Sequence, residues 1–254
     1  PRTLVPARGC GAPPPQMTSR RSDQSPLTSQ PNIPPIPTAD NLENQTVNKL
    51  LMRSAELENR LLDFFHVTPR QESDRRASSR ILLSVAMEHA ESLKMLIAGG
   101  NCTSAIGLLR LQYEALVRAI WLSYAASPNV VSELCSELTS ESARRASNKL
   151  PILSEMLTKL DGKAPKEAMD LLLEFKEYHW KPLSSFVHGG IHAMSRHSTG
   201  YPPPLLEGLI KASNGVSMMI GMMLVILCDD PSLEGNMPAI QLEFRDCLPQ
   251  IREP

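Results

Sequence analysis

Apolar residues recur through most of the chain at intervals of three, four and seven, the spacing that lines side chains up on one face of an α-helix. Leu50, Leu57 and Phe64 fall every seven residues with Leu61 and Phe65 beside them. This stripe predicts a helix from about Asp40, a good N-cap, to about His66, ahead of Pro69. A second helix is predicted from Ser73 to Ala98, with Leu82, Val85, Leu93, Leu96 and Ile97 on its apolar face and Gly99-Gly100 as its stop. The third, from about Thr103 to Ala126, is apolar almost all round (Ile106, Leu109, Leu116, Val117, Ile120, Trp121), which predicts a central position, and Pro128 closes it. Less regular helices are expected over 129–160, broken near Pro151 and ended by Asp161-Gly162. Pro165 suits the first turn of a helix to about Val187, with a kink or break at Pro182. A Gly- and Pro-rich turn from Gly189 to Pro204 then leads to a helix over 205–228 that reads as buried on all sides. After Pro238 one or two amphipathic turns remain. With neither strict alternation nor an internal repeat, the pattern predicts an all-α protein, an antiparallel bundle of about five to seven helices.

The first 39 residues break this pattern. Ten of the 22 prolines lie within residues 1–38, in clusters such as Pro13-Pro14-Pro15, with Ser, Thr and Gln between them. Such a stretch cannot bury a core, so residues 1–39 read as a disordered Pro-rich tail and 40–254 as a single helical domain. The tail lacks the apolar region of a secretory signal, and Met17 is the expected natural start, with residues 1–16 an upstream extension.

Composition narrows the class further. Of 254 residues only 4% are aromatic, which disfavours a β-sandwich or barrel. The net charge is −1, so no overall positive field draws the chain onto nucleic acid or an anionic membrane. Up to Asp40 there are four basic and two acidic residues, which leaves 22 basic and 25 acidic for the rest. Five cysteines, at 10, 102, 135, 228 and 247, form no CxxC pair, which points to a reducing, cytoplasmic setting. The apolar run Val216–Cys228 is shorter than the roughly 20 residues of a membrane span, so no membrane partner is expected. Its methionines, at 218, 219, 222 and 223, read as core fillers first and as an adaptable binding face second.

Two constellations could carry chemistry. Arg110, Glu114 and Arg118 are spaced by four on the central helix, with Tyr113 and Trp121 nearby, so two guanidinium groups could flank one carboxylate. That arrangement fits either a self-neutralising ion triad or an anion site in which Arg110 or Arg118 binds phosphate. The second is the stretch His179-Trp180-Lys181 through His188-Gly189-Gly190, followed by His192 and His197, which holds four of the six histidines. Imidazole is the side chain suited to proton transfer near neutral pH. His188 reads equally as a helix C-terminal residue followed by its glycine stop. His188 and His192 have the i, i+4 spacing of metal ligands, but the glycines between them break the helix that ligation needs, so no metal site is assigned. Dinucleotide, P-loop and α/β-hydrolase motifs are absent, and no cofactor is expected. Ser184 and Ser185 read as local caps and His89 as a core histidine.

The long helices, the R-x-x-Y-E-x-x-x-R pattern from Arg110 to Arg118, and F-V-H-G-G from Phe186 to Gly190 together resemble uncharacterised bacterial helical proteins placed near the HEPN superfamily, over about residues 42–230. The resemblance implies a helical bundle, often dimeric, and in many members a metal-independent ribonuclease of toxin or phage-defence type. The family motif is an Arg followed by a His after four to six residues. Here the literal match is Arg60 with His66 on the first helix, whereas Lys181 with His188 has the family's location but a different cation. Two readings follow. One is a non-catalytic binding or dimerisation module that presents its methionine-rich helix to a protein partner or a second copy. The other is a HEPN-like ribonuclease with His188, Arg110, Arg118 and Glu114 at the catalytic site and Tyr113, Lys181 and His192 contacting RNA.

Overall fold

The computed structural model describes residues 39–137, 139, 150–233 and 235–250. The expected N-terminal tail, apart from Ala39, lies outside the described residues. Helix α1 (Ala39–Leu62) continues as a 3₁₀ turn at Asp63–Phe65 and buries Leu50, Leu57, Leu61 and Phe64, the stripe read from the sequence. Helix α2 (Asp74–Ala98) starts where Ser73 Oγ accepts the Arg76 N–H at 3.3 Å, and it ends at Gly99-Gly100, with Gly100 at φ +77°. Its buried face runs through Ser79, Leu83, Ala86, Ala90, Leu93, Lys94 and Ile97, while Val85 is exposed. The face is rotated from the expected one because α2 packs on its neighbour through small residues. Ser79 Oγ donates to Ala119 O at 3.1 Å and accepts from Ser123 Oγ at 2.8 Å.

Helix α3 (Cys102–Tyr124) is the central helix, with Ile106, Leu109, Tyr113, Leu116, Ile120 and Trp121 all buried. The Arg75 guanidinium donates to the carbonyls of Leu122 and, at 2.7 Å, of Ala126, so a positive charge meets the negative end of α3. Pro128 opens a further short helix, α4 (Pro128–Cys135), behind the N-cap Ser127. Helix α5 (Leu153–Leu160) buries Met156, Leu157 and Leu160 and is followed by Gly162 at φ +68°.

Helix α6 (Lys166–Val187) passes through Pro182 without ending, so of the expected kink or break the break does not occur. Helix α7 (Ile191–Thr199) occupies the stretch expected to be a turn. Only Ala193 is buried on it, so it shows no apolar stripe to read. Helix α8 (Pro203–Cys228) and helix α9 (Asn236–Glu243) complete the bundle, with 3₁₀ turns at Pro231–Leu233 and Arg245–Cys247. The described residues thus hold nine α-helices, of which α1, α2, α3, α6 and α8 are 22 to 26 residues long. The protein is an all-α bundle, and the helices beyond the expected five to seven are pieces of eight or nine residues.

Helix α8 is long and apolar enough to cross a membrane by length and composition, but 61% of its most apolar window is buried in the bundle. It also carries part of a buried polar network. Lys94 Nζ donates to Glu58 Oε1 at 2.5 Å and to Ser213 Oγ at 3.1 Å, and Ser213 Oγ donates to Gln112 Oε1 at 2.8 Å. Gln112 Nε2 returns bonds to Ser213 O and Ser217 Oγ, tying α1, α2, α3 and α8 together. Contrary to expectation α8 is not covered on every side. Met223 is buried, whereas Met222 is 46% and Ile226 44% exposed.

Candidate functional site

The point where α3 meets the end of α6 brings residues from both candidate constellations together. Arg110 lies on the half-buried face of α3, and its guanidinium carbon sits 4.3 Å from the centroid of the Trp180 ring on α6, a cation–π stack. Its Nε donates to Glu114 Oε1 at 2.8 Å, one turn on along the same helix. Its Nη1 lies 3.2 Å from His188 Nε2. A guanidinium can only donate, so a hydrogen bond at this contact takes Nε2 as its acceptor. Nη2 makes no protein hydrogen bond among the described residues and is not among the buried unpartnered atoms, so it opens to solvent.

The platform beneath Arg110 is aromatic. Tyr113 stacks on Phe175 with centroids 4.4 Å apart and meets Trp180 edge-on at 6.4 Å. Tyr113 Oη donates to Leu172 O at 2.7 Å, and burial pushes its phenol well above the ordinary value. Tyr113, expected to contact RNA, is 0% exposed and meets the edge of the Trp180 ring from below.

His188 is placed by the end of α6. Its N–H donates to Ser184 O at 3.1 Å as the helix C-cap, and Gly189 follows at φ +64°. The next turn closes tightly, with Gly190 N–H on Ser185 O at 2.6 Å and the His192 N–H on Ser185 Oγ at 3.0 Å. Ser185 therefore caps the first turn of α7, as its reading as a local cap anticipates. A Cβ at position 190 would stand 2.5 Å from Ser185 Oγ, so the side chain there must be absent. His188 is exposed, which opens the Arg110–His188 pair to a ligand from solvent.

The other sequence candidates lie apart from this contact. Arg118 is two turns beyond Arg110 on α3, half-buried, with a buried Nε that has no partner. Its guanidinium forms no ion pair with Glu114, so the expected triad is a pair, Arg110 with Glu114. Lys181 is exposed on α6, seven residues and about 10.5 Å of helix from His188. His192 is exposed on α7, a different helix from His188, and among the described residues no three His, Cys, Asp or Glu converge. His197 Nδ1 meets Thr103 Oγ1 at 3.2 Å, and Tyr201 Oη reaches the same hydroxyl at 2.5 Å, which fastens α7 to the start of α3. Arg60 pairs weakly with Asp63 at 3.8 Å.

The second feature is a groove beside the methionines that the sequence offers as an adaptable binding face. Helices α6 and α8 both pack on α3 but leave between them a groove of about 970 Å³, floored by Ile120 and Tyr124. Phe175, Tyr178 and His179 of α6 face Met218, Met219 and Met222 of α8 across it. Burial lowers the His179 pKa, opposed by Glu174, and its ring lies 4.7 Å from that of Phe175. The available signal was that apolar residues outnumber those one face of α8 needs.

Fold and site together define an all-α bundle that presents a stacked arginine against an accessible imidazole. The chain belongs to a family of unknown function, DUF6988, whose profile matches residues 83–250 and so spans Arg110, His188 and the groove. No curated protein and no solved structure matches the chain.

Proposed function

We propose that the protein acts on RNA as a HEPN-like, metal-independent ribonuclease of toxin or phage-defence type, with Arg110 and His188 as its working pair. The observation that supports this reading is the 3.2 Å approach of Arg110 Nη1 to an exposed His188 Nε2, two groups 78 residues apart in sequence. RNA cleavage needs a base for the 2′-hydroxyl and a positive group on the phosphate. His188 Nε2 takes the 2′-hydroxyl proton, the 2′-oxygen bonds to phosphorus, and the bond from phosphorus to the 5′-oxygen breaks. Solvent protonates the leaving 5′-oxygen, which leaves a 2′,3′-cyclic phosphate and a 5′-hydroxyl end. The Arg110 guanidinium faces the charge that grows on the non-bridging oxygens, and Glu114 and Trp180 hold it in place. An incoming phosphate competes for Arg110 and so frees the Nε2 lone pair for the proton. Lys181, His192 and Arg118 supply more distant contacts to a strand that runs past the pair.

The test is incubation of the full chain with end-labelled single-stranded and structured RNA in EDTA, beside His188→Ala and Arg110→Ala variants whose helicity matches the parent. The parent is expected to leave cyclic phosphate ends, and His188→Ala to slow cleavage by about 100-fold. No cleavage by the parent, or equal cleavage by His188→Ala, overturns the reading.

A second reading, a non-catalytic binding or dimerisation module, is favoured by the open methionine face of α8. Either reading suits a reducing, cytoplasmic setting, since Cys102, Cys135, Cys228 and Cys247 are all free thiols.

A further inference from the structure

We infer that the groove between α6 and α8 is the docking site for a basic amphipathic helix of a partner protein. The inference deepens the binding reading, rests on it, and is independent of chemistry at Arg110 and His188.

Shape is the first argument. The α6 residues that line the groove run from Glu167 to His179, about 18 Å of helix, and α8 follows alongside. Both walls pack on α3, and among the described residues no helix fills the space between them. Chemistry is the second. Met218, Met219 and Met222 give an unbranched, polarizable wall that moulds to an apolar helix face. Charge is the third. Glu167, Glu174 and Glu207 line the groove against a single Lys211, and none of the four is ion-paired among the described residues. An occupant with Lys or Arg beside its apolar stripe answers this excess of carboxylate.

Gly208 supplies an independent observation. It sits inside α8 on the groove wall, where glycine weakens a helix relative to alanine, yet a Cβ there would meet nothing within 4 Å. Nothing in the described fold requires its bareness, and the close approach of an external helix does.

The experiment measures fluorescence anisotropy of a labelled 18-residue helical peptide, with leucine at i, i+3, i+4 and i+7 and lysine elsewhere, titrated with the full chain. A peptide with glutamate for every lysine is the control, and sedimentation of the same samples reports self-association. The lysine peptide is expected to bind one to one and about tenfold or more tighter than the glutamate peptide. Gly208→Leu, which fills the groove from a position with open space, and Met222→Asp, at an exposed site, are each expected to weaken binding about tenfold while the helical signal is unchanged. Equal binding of the two peptides, or binding unaffected by both variants, overturns the inference. So does a stable dimer of the parent that Gly208→Leu dissociates, because the groove then belongs to a second copy. RNA cleavage measured on the same variants separates the two sites, since loss of peptide binding is expected to leave it unchanged.

Discussion

Lys94 Nζ stands 2.5 Å from Glu58 Oε1 with the two residues only 6% and 7% exposed, an ion pair sealed between α2 and α1. Burial raises the carboxyl of Glu58 and lowers the ammonium of Lys94, so desolvation outweighs their attraction in both. Lys94→Met leaves a buried carboxylate alone and is expected to destabilise the fold by about 3 kcal/mol at neutral pH. A carboxyl raised above its unfolded value stabilises at low pH and loses that contribution as pH climbs through the folded value. The variant should therefore recover stability on acidification toward the ordinary carboxylate range. The double variant Glu58→Leu, Lys94→Met is expected to match or exceed the parent in denaturant titrations, and a double variant weaker than Lys94→Met alone would contradict the account.

His179 gives the opposite slope. Its pKa is lowered by burial against Phe175, so protonation opposes folding. Its contribution is fully present above the ordinary imidazole value and is lost as pH falls through that value toward the folded one. Thermal melts of the parent should drop between about pH 7.5 and pH 5.5, and His179→Gln should flatten that part of the profile. An unchanged slope in the variant would assign the drop to other groups.

The long helices were legible because each repeats apolar residues over several turns. Leu50, Leu57 and Phe64 marked the buried face of α1, and Ser73 and Gly99 marked the ends of α2. Val85 misled because the α2 interface is built from Ser79, Ala86 and Ala90, whose small side chains carry little weight in a hydrophobic pattern. Arg110 and His188 could each be picked out, yet their contact could not. It depends on how α3 and α6 cross, and on Trp180 lying under the guanidinium. Lys94 and Glu58 drew no reading from the sequence, because their pairing is tertiary and leaves no local mark.

The turn after α6 has a steric requirement that can be tested directly. Gly190→Ala places a methyl group against Ser185, at a distance no real Cβ shows, so the Ser185 hydroxyl must turn away and the turn that fixes His188 must shift. RNA cleavage by this variant is expected to fall about tenfold or more, with KM changed less than kcat because phosphate still meets Arg110. Ser185→Ala removes only the acceptor for the His192 N–H and is expected to cost about 1 kcal/mol of stability. Equal activity of Gly190→Ala and the parent would show that the turn does not place the imidazole.

Gly208 allows a prediction about stability alone. With open space around its missing Cβ and a position inside α8, Gly208→Ala should stabilise the isolated chain by about 0.5–1 kcal/mol. A higher melting temperature with unaltered helical signal is the expected result, and a lower one would mean that the glycine serves the fold itself.

Trp180 and Tyr113 separate positioning from packing. Tyr113→Phe keeps the ring that stacks on Phe175 and loses only the bond to Leu172 O, so about 1 kcal/mol of stability should go while RNA cleavage is retained. Trp180→Leu keeps an apolar contact on α6 but removes the face on which Arg110 lies. The guanidinium then keeps only Glu114 and the His188 contact to orient it, so kcat for cleavage should fall more than stability does. Restoring an aromatic face with Trp180→Phe should recover part of the rate, because the stack needs a π surface more than the indole itself. If Trp180→Leu and Trp180→Phe cleave alike, the ring acts only as packing, and the orientation of Arg110 comes from Glu114 and the His188 contact.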